Sequence, residues 1–544
     1  MISQSPPHQQ TRADKLLAWM LFVFISLTAF AVGFYISYTQ GYMHSDSVSR
    51  VANAFYVLYS RDPHLGAIGF VWTPLPSLLD LVVLLLYPLF PALASHALAA
   101  VVVSSIFSGL AAALLYKTGI RFGLPRWLTL SIVILYSLNP FIFLFGVNGL
   151  SDSPYLYFLL YAMIQFTDWM ERRDSTGLVK AGFALALAFW TRYEAVPVGF
   201  AMACAVFVVI WFIFGHAHPE ESRKLQYKRK YHHIEATWIL LLLPVVFSGL
   251  IWIFFNYTIM HNPLYFLNSE YSNVAQSDSL KADANFEKIF NSPILALWLC
   301  IKKTAWFSAP LIGVILLGLM NKRLFKWDIV VLVLVFCSIP ALQFLLLLNS
   351  SSFAWFRYFM YVYPITVAWL PYELSKVKIN FRNCAVVLTS LVVTVGLLTY
   401  ALTNPLIAPD ENTFLTYKQG RHIKSIQLDR SVAKWLDENL KNDTILTDSA
   451  ASFMIIVNSK YPKRFMITSD YDFRDAVTDP KGNGIDYILI PRLPVYSTIN
   501  KTYPNLFEHG SEFATFYRSF EDPMHRYEWR LYKVVKGEQT DEGH

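Results

Sequence analysis

Apolar runs of roughly membrane-crossing length recur along the chain near 17–39, 95–116, 127–147, 153–170, 178–191, 196–215, 235–257, 305–320, 328–348, 358–374 and 384–403. A spanning helix needs about 20 predominantly apolar residues, so the pattern predicts about eleven transmembrane helices. A further stretch, "PLPSLLDLVVLLLYPLFPAL" at 74–93, carries Asp80 and is framed by Pro74, Pro76, Pro88 and Pro91. The basic loops decide how to read it. Short loops rich in Lys and Arg stay on the cytoplasmic side, and here they fall at 117–126, 171–180, 220–230, 322–326 and 376–382. With a basic N-terminus inside, all of them share one side only if 74–93 does not cross. That stretch is therefore predicted to be a re-entrant or interfacial pair of short helices. Residues 40–94, 148–152, 192–195, 258–304, 349–357 and everything after 404 are left on the outer side.

After about residue 405 the pattern changes. "SVAKWLDENL" at 431–440 has helical spacing, with Val432, Trp435 and Leu436 on one face. "TILTD" (444–448) and "GIDYILIP" (484–491) read as buried strands, and "FATFYRSF" and "RYEWRLYKVV" alternate as paired strands do. The predicted fold is a polytopic α-helical membrane protein with a small C-terminal α/β extracytoplasmic domain. The membrane domain would span 1–404, with a first outer loop at 40–94, and the outer domain 405–544.

Composition agrees with the pattern. Hydrophobic residues make up 55% of the 544 and charged residues 15%, against roughly 25% in soluble proteins. Aromatics at 16% fit interfacial belts of Trp and Tyr. The four cysteines lie in or beside apolar runs and form no disulfide or zinc spacing. The net charge of +7 is mostly accounted for by the basic loops, which argues against nucleic acid as a partner. The first apolar run has no small-residue cleavage site and reads as an uncleaved helix.

Charges at membrane depth cost about 2.5–3.5 kcal/mol each on insertion scales, so those at the outer ends of the runs need reasons. In "YMHSDSVSRVANAFY" (42–56), Asp46, Arg50 and Asn53 form a polar stripe opposite Val48, Val51, Ala52, Phe55 and Leu58. This predicts an interfacial amphipathic helix, capped by Ser45 or Ser47. A local Asp46–Arg50 ion pair is the plainer explanation of the stripe. The following "SRDPHLGAIGFVWTPLP" adds Arg61, Asp62, His64 and Trp72 in a folded loop. In "VNGLSDSPYLYF" (147–158), Asp152 sits where one helix ends and the next begins, and Ser151 or Asp152 would serve equally as an N-cap. In "AFWTRYEAVPVGF" (188–200), Arg192 and Glu194 interrupt apolar sequence; a simple loop explains them, and so does a phosphate-binding arginine oriented by a carboxylate. Arg357 lies amid aromatics in "SSFAWFRYFMYVYP" (351–364), where snorkelling also accounts for it. Lys302 and Lys303 fall on the outer side, against the charge rule, as cations held by an anion would.

Together these motifs resemble the GT-C superfamily of polytopic glycosyltransferases, which includes protein O-mannosyltransferases, aminoarabinose transferases and oligosaccharyltransferases. "HSDS" resembles the first-loop acidic motif at Asp46, "LSDSP" the second-loop acidic position at Asp152, and "WTRYEAVP" the Arg-rich turn of bacterial members. "FRYFMYVYP" resembles the Arg-Tyr helix start near the sugar-lipid phosphate, and "VAKWLDENL…DTILTD" the opening of the outer domain. The first motif has Ser47 after Asp46 in place of the Asp-Glu pair of some branches.

The resemblance implies an inverting transfer of a sugar from a polyprenyl-phosphate donor to an acceptor hydroxyl on a glycan, lipid or protein. The enzyme would sit in the inner (plasma) membrane with its active site and C-terminal domain on the periplasmic or extracellular side. Asp46 would be the general base, and Asp152 would orient sugar or acceptor. Arg50, Arg192, Arg357, Lys302 and Lys303 would bind the lipid phosphate. His64, Trp72, Glu194 and Tyr358 would line the sugar or acceptor site. Some branches need no cofactor and others use a divalent cation (Mg2+ or Mn2+), for which Asp46 and Asp152 would be the ligands. The competing class is a transporter or flippase of a lipid-linked or anionic substrate; it predicts mid-membrane polar residues and an internal repeat, and the sequence offers neither.

Overall fold

A computed structural model describes residues 10–214, 222–269, 271–272, 275–276, 284–419, 421–492, 497–522 and 525–535. Residues 1–9, and residues 220 and 221 of one basic loop, lie outside them; the basic residues of the N-terminus, Arg12 and Lys15, open the first helix. Each apolar run forms a helix or a bent pair of helices. Among the described residues, six helices are long and apolar enough to cross a membrane: Arg12–Thr39, Leu98–Arg121, Ala195–Ile213, Arg223–Met260, Trp327–Leu348 and Phe381–Thr403. Two bent pairs, Arg126–Ser137 with Pro140–Val147 and Pro293–Ala305 with Ala309–Met320, raise this to eight.

That test of length and composition does not confirm the expected eleven crossings, and three of the runs fall outside it. The other three runs form the helices Asp152–Arg172, Ser175–Thr191 and Val362–Ser375. The first carries four charged residues, Asp152, Asp168, Glu171 and Arg172. The others have 17 and 14 residues, about 25 and 21 Å at 1.5 Å per residue. Residues 362–374 are buried throughout, so this helix is enclosed by protein rather than lipid. The 74–93 stretch forms two short helices, Leu75–Leu84 and Ala92–Ser95. The first, at about 15 Å, is half the ~30 Å hydrocarbon thickness.

The contacts divide the chain into two compact units. The first comprises Met1–Val32, Val71–Leu75 and Val103–Leu415. It is a helical assembly with two sharp breaks. One bends by 65° at Asn139, whose side chain accepts from the Phe141 amide to restart the helix at Pro140. The other bends by 77° between Ala305 and Ala309 and leaves Lys303 in the last turn before the break.

The second unit comprises Gly33–Phe70, Pro76–Val102 and Thr416–His544. Its described residues contain a five-stranded sheet in the order β2-β1-β3-β5-β4, with β1 Ile445–Leu446, β2 Phe465–Met466, β3 Tyr487–Pro491, β4 Ala514–Glu521 and β5 Glu528–Val534. Strands β1, β2 and β3 are parallel; β5 pairs antiparallel with β3 and β4. The 431–440 segment lies in the Arg421–Asn439 helix, with Val432 and Leu436 fully buried.

The Ser45–Tyr59 helix corrects the sequence reading in two respects. Its apolar face, with Val48, Val51, Ala52 and Phe55, is buried in one core with Leu436, Ile455, Ile456 and Phe465. It therefore covers the α/β part of the second unit and does not present that face to lipid. An amphipathic pattern records only that one face leaves water. Its cap is His44, whose Nδ1 accepts from the Asp46 amide at 3.2 Å, and neither Ser45 nor Ser47.

Candidate active site

Within the first unit, a group of charged side chains that the sequence scatters over 260 residues comes together. Asp152 opens the Asp152–Arg172 helix and is fully buried. It is not a cap. Tyr361 donates its hydroxyl to Asp152 Oδ1 at 2.6 Å, and Arg192 Nη1 lies 3.5 Å from Oδ2. Arg192 is placed by the end of the Ser175–Thr191 helix, where the backbone turns extended and its amide bonds the Ala188 carbonyl. Its Nε and Nη2 both donate to Glu194, the latter at 2.8 Å, in a forked contact. Burial works against the Arg192 charge, but Glu194, Tyr361 and Asp152 outweigh it and hold the guanidinium well above its usual pKa.

The Phe356–Phe359 turn supplies the second cation. Arg357 is 2% exposed, its guanidinium lies 4.5 Å over the Trp355 ring, and Nη1 is 3.6 Å from Asp410. Tyr358 joins the two arginines: the Arg192 and Arg357 guanidiniums lie 5.5 and 5.8 Å from its ring centre. Lys303 is the third cation and donates to the Ala354 carbonyl. Ala354 has φ +45°, a conformation rare for a residue with a Cβ. It is held by its amide bond to Ser352, which in turn bonds Gln343. The left-handed residue is thus locked while its carbonyl receives the lysine. Beside this group, Glu411 is 2% exposed, and neither carboxyl oxygen has a hydrogen-bond partner among the described residues.

Of the residues singled out from sequence, Asp152, Arg192, Glu194, Lys303, Arg357 and Tyr358 meet here. Tyr361, Asp410 and Glu411 were missed. Tyr361 had a signal, since it follows Arg357 at i+4 in a quoted motif; the acidic pair Asp410–Glu411 read only as the start of a tail. Lys302 is exposed. Trp72 is 39% exposed, and the adjacent Val71 carbonyl accepts from Tyr193.

The remaining candidates belong to the second unit. Asp46 lies in the first turn of its helix with its side chain 46% exposed, 3.9 Å from His44 Nδ1. Arg50 lies near the buried Asp80. His64 stacks on Tyr471 at 4.3 Å, and Arg61 pairs with Asp470 and Asp472. These contacts tie the 60–64 loop to the α/β part. Among the described residues no three His, Cys, Asp or Glu side chains gather as metal ligands; Asp152 Oδ1 accepts from Tyr361, while Oδ2 faces Arg192 at 3.5 Å without a hydrogen bond.

Residues 75–252 match the protein family described as dolichyl-phosphate-mannose-protein mannosyltransferase. The match indicates glycosyltransferase activity. The matched segment contains Asp152, Arg192 and Glu194, while Lys303, Arg357, Asp410 and Glu411 lie beyond it. The chain is also similar in structure to the apo oligosaccharyltransferase of Archaeoglobus fulgidus, with a TM-score of 0.41 and 11% identity over 95% of this chain and 75% of that one. No curated protein matches the sequence.

Proposed function

We propose that this glycosyltransferase moves a sugar from a polyprenyl-phosphate donor to an acceptor hydroxyl, with inversion, at the outer face of a cell membrane. The observation that carries this reading is a triad of cations, the buried Arg357 and the partly buried Arg192 and Lys303, converging on Tyr358 and Phe359 in the first unit. Guanidinium forks suit phosphate oxygens, and donors fixed in a dry site stabilise charge as it develops on a leaving group. The acceptor oxygen attacks C1 of the sugar from the face opposite the phosphate. The C1–O bond to phosphate breaks, and its electron pair stays with the phosphate. Asp46 takes the acceptor's proton; its exposure leaves it open to an incoming hydroxyl, and the first turn of a packed helix fixes it. Asp152 holds Arg192 and Tyr361 in register.

The full chain in proteoliposomes with radiolabelled polyprenyl-phosphate sugars tests this. Asp46→Asn is expected to fold and bind donor while transfer falls by about 10²–10⁴-fold, the usual worth of a positioned base. Unchanged turnover would remove Asp46 from that role. Movement of label across the bilayer without transfer would replace the reading with a flippase.

A further inference from the structure

The mechanism above leaves one buried ionisable side chain of the cluster unused. Glu411 sits in the Pro409–Thr416 helix, 2% exposed, one residue after the Asp410 that pairs with Arg357. Both of its carboxyl oxygens lack a hydrogen-bond partner among the described residues. A buried polar group left unsatisfied is costly, which points to a partner that arrives. The groups that face it electrostatically are Asp410, Arg357 and Asp152, with Lys303 on the helix before the 77° break.

Charge balance says in which form it waits. The cluster holds three cations, Arg192, Arg357 and Lys303, and three carboxylates besides Glu411, namely Asp152, Glu194 and Asp410. An ionised Glu411 would make the empty site net negative, a poor receptor for a phosphate. A protonated one leaves it neutral and adds an O–H donor. We propose that Glu411 is a proton donor to the lipid phosphate, hydrogen-bonding it in the bound donor and passing it a proton as the bond to the sugar breaks.

This rests on the reading of the cluster as a phosphate site. The proton goes from the Glu411 carboxyl to a phosphate oxygen as that group takes up the C1–O electron pair. The acceptor's proton goes to Asp46. One carboxyl ends charged and the other neutral, so solvent exchange resets both without any further reactant. Burial first, and the neighbouring Asp410 charge second, push Glu411 up to about 7, so the acid form is well populated at neutral pH.

The test is binding of polyprenyl monophosphate to the full chain in nanodiscs at about pH 6 and about pH 8.5. Both wild type and Glu411→Gln see the same titration of the ligand, so their difference reports Glu411 together with its coupling to the facing Lys303. Wild type is expected to lose about 30-fold in affinity relative to Glu411→Gln over that interval, because its acid must be reprotonated for binding. Glu411→Gln, which keeps an N–H donor, is expected to match wild type at the lower pH and to transfer sugar more slowly there. An identical pH dependence in the two proteins overturns the proposal. So does tight binding by wild type at the higher pH, a result that needs no variant to fold. Arg357→Ala separates the two levels: if it loses binding while Glu411→Gln behaves as wild type, the phosphate site stands and the proton donor falls. If wild type binds the lipid at neither pH, both fall.

Discussion

Two aspartates open helices in this chain, and the fold treats them oppositely. Asp46 begins the Ser45–Tyr59 helix and Asp152 the Asp152–Arg172 helix, each in a Ser-Asp-Ser context. The Asp46 side chain is 46% exposed, whereas Asp152 is 1% exposed and held by both Tyr361 and Arg192. On the proposed mechanism Asp46 has to remain reachable to an arriving hydroxyl, and the enclosed Asp152 fixes its partners instead. The same local sequence ends in two environments, and only the surrounding packing tells them apart.

Removing the enclosed carboxylate puts the greatest strain on this contrast. Asp152→Ala leaves the buried Arg192 short of one anion and the Tyr361 hydroxyl without its acceptor. Breaking a buried pair this way costs about 3–5 kcal/mol, and Glu194, still bonded to Arg192, should keep the loss near the lower figure. Thermal unfolding of the purified protein in nanodiscs would register it. Asp46→Asn in the same assay should leave stability nearly unchanged. Equal losses from the two variants would show that the aspartates are alike after all.

How much of this could be read in advance follows from what a sequence records. The apolar runs marked the long apolar helices because periodicity and length are local properties, but the Pro293–Ala305 half of one bent pair fell in a segment assigned to the outer side. Length and hydropathy could not say which helices face lipid: the Val362–Ser375 helix is apolar and enclosed by protein. The same ambiguity hid the role of the Ser45–Tyr59 helix: a stripe of Val51 and Phe55 looks identical whether it meets acyl chains or Ile455 and Ile456. In the cluster, Asp152, Arg192, Lys303 and Arg357 stood out because charge is conspicuous in apolar sequence. Glu411 did not, because it follows the last run among other polar residues and its burial is purely tertiary.

A smaller effect would sharpen the account of Asp152. Tyr361→Phe deletes the 2.6 Å hydrogen bond to its carboxylate but keeps the ring, which packs edge-on against Tyr155 at 4.7 Å. Hydrogen bonds to charged groups contribute about 1.5–3 kcal/mol, so unfolding should shift by that amount and less than in Asp152→Ala. If Asp152 acts by holding its neighbours, the double variant should cost little more than Asp152→Ala alone. Additive losses would mean that the two side chains do not work as a pair.

The smallest effect belongs to the exposed aspartate. His44 caps its helix by accepting the Asp46 amide on Nδ1, and an accepting nitrogen carries no proton. The cap and a His44–Asp46 ion pair through that same nitrogen are therefore alternatives. Losing an N-cap costs about 1 kcal/mol, so His44→Ala should lower stability by roughly that much. Its kinetic signature is the more telling, because a frayed first turn lets the carboxylate wander. Transfer should fall several-fold with donor affinity unchanged, and His44→Asn, which restores a capping acceptor, should recover most of it. A variant that loses the cap yet transfers at the wild-type rate would show that the helix start does not position Asp46, and the exposed carboxylate would then lose the one structural feature that distinguishes it from any other on the surface.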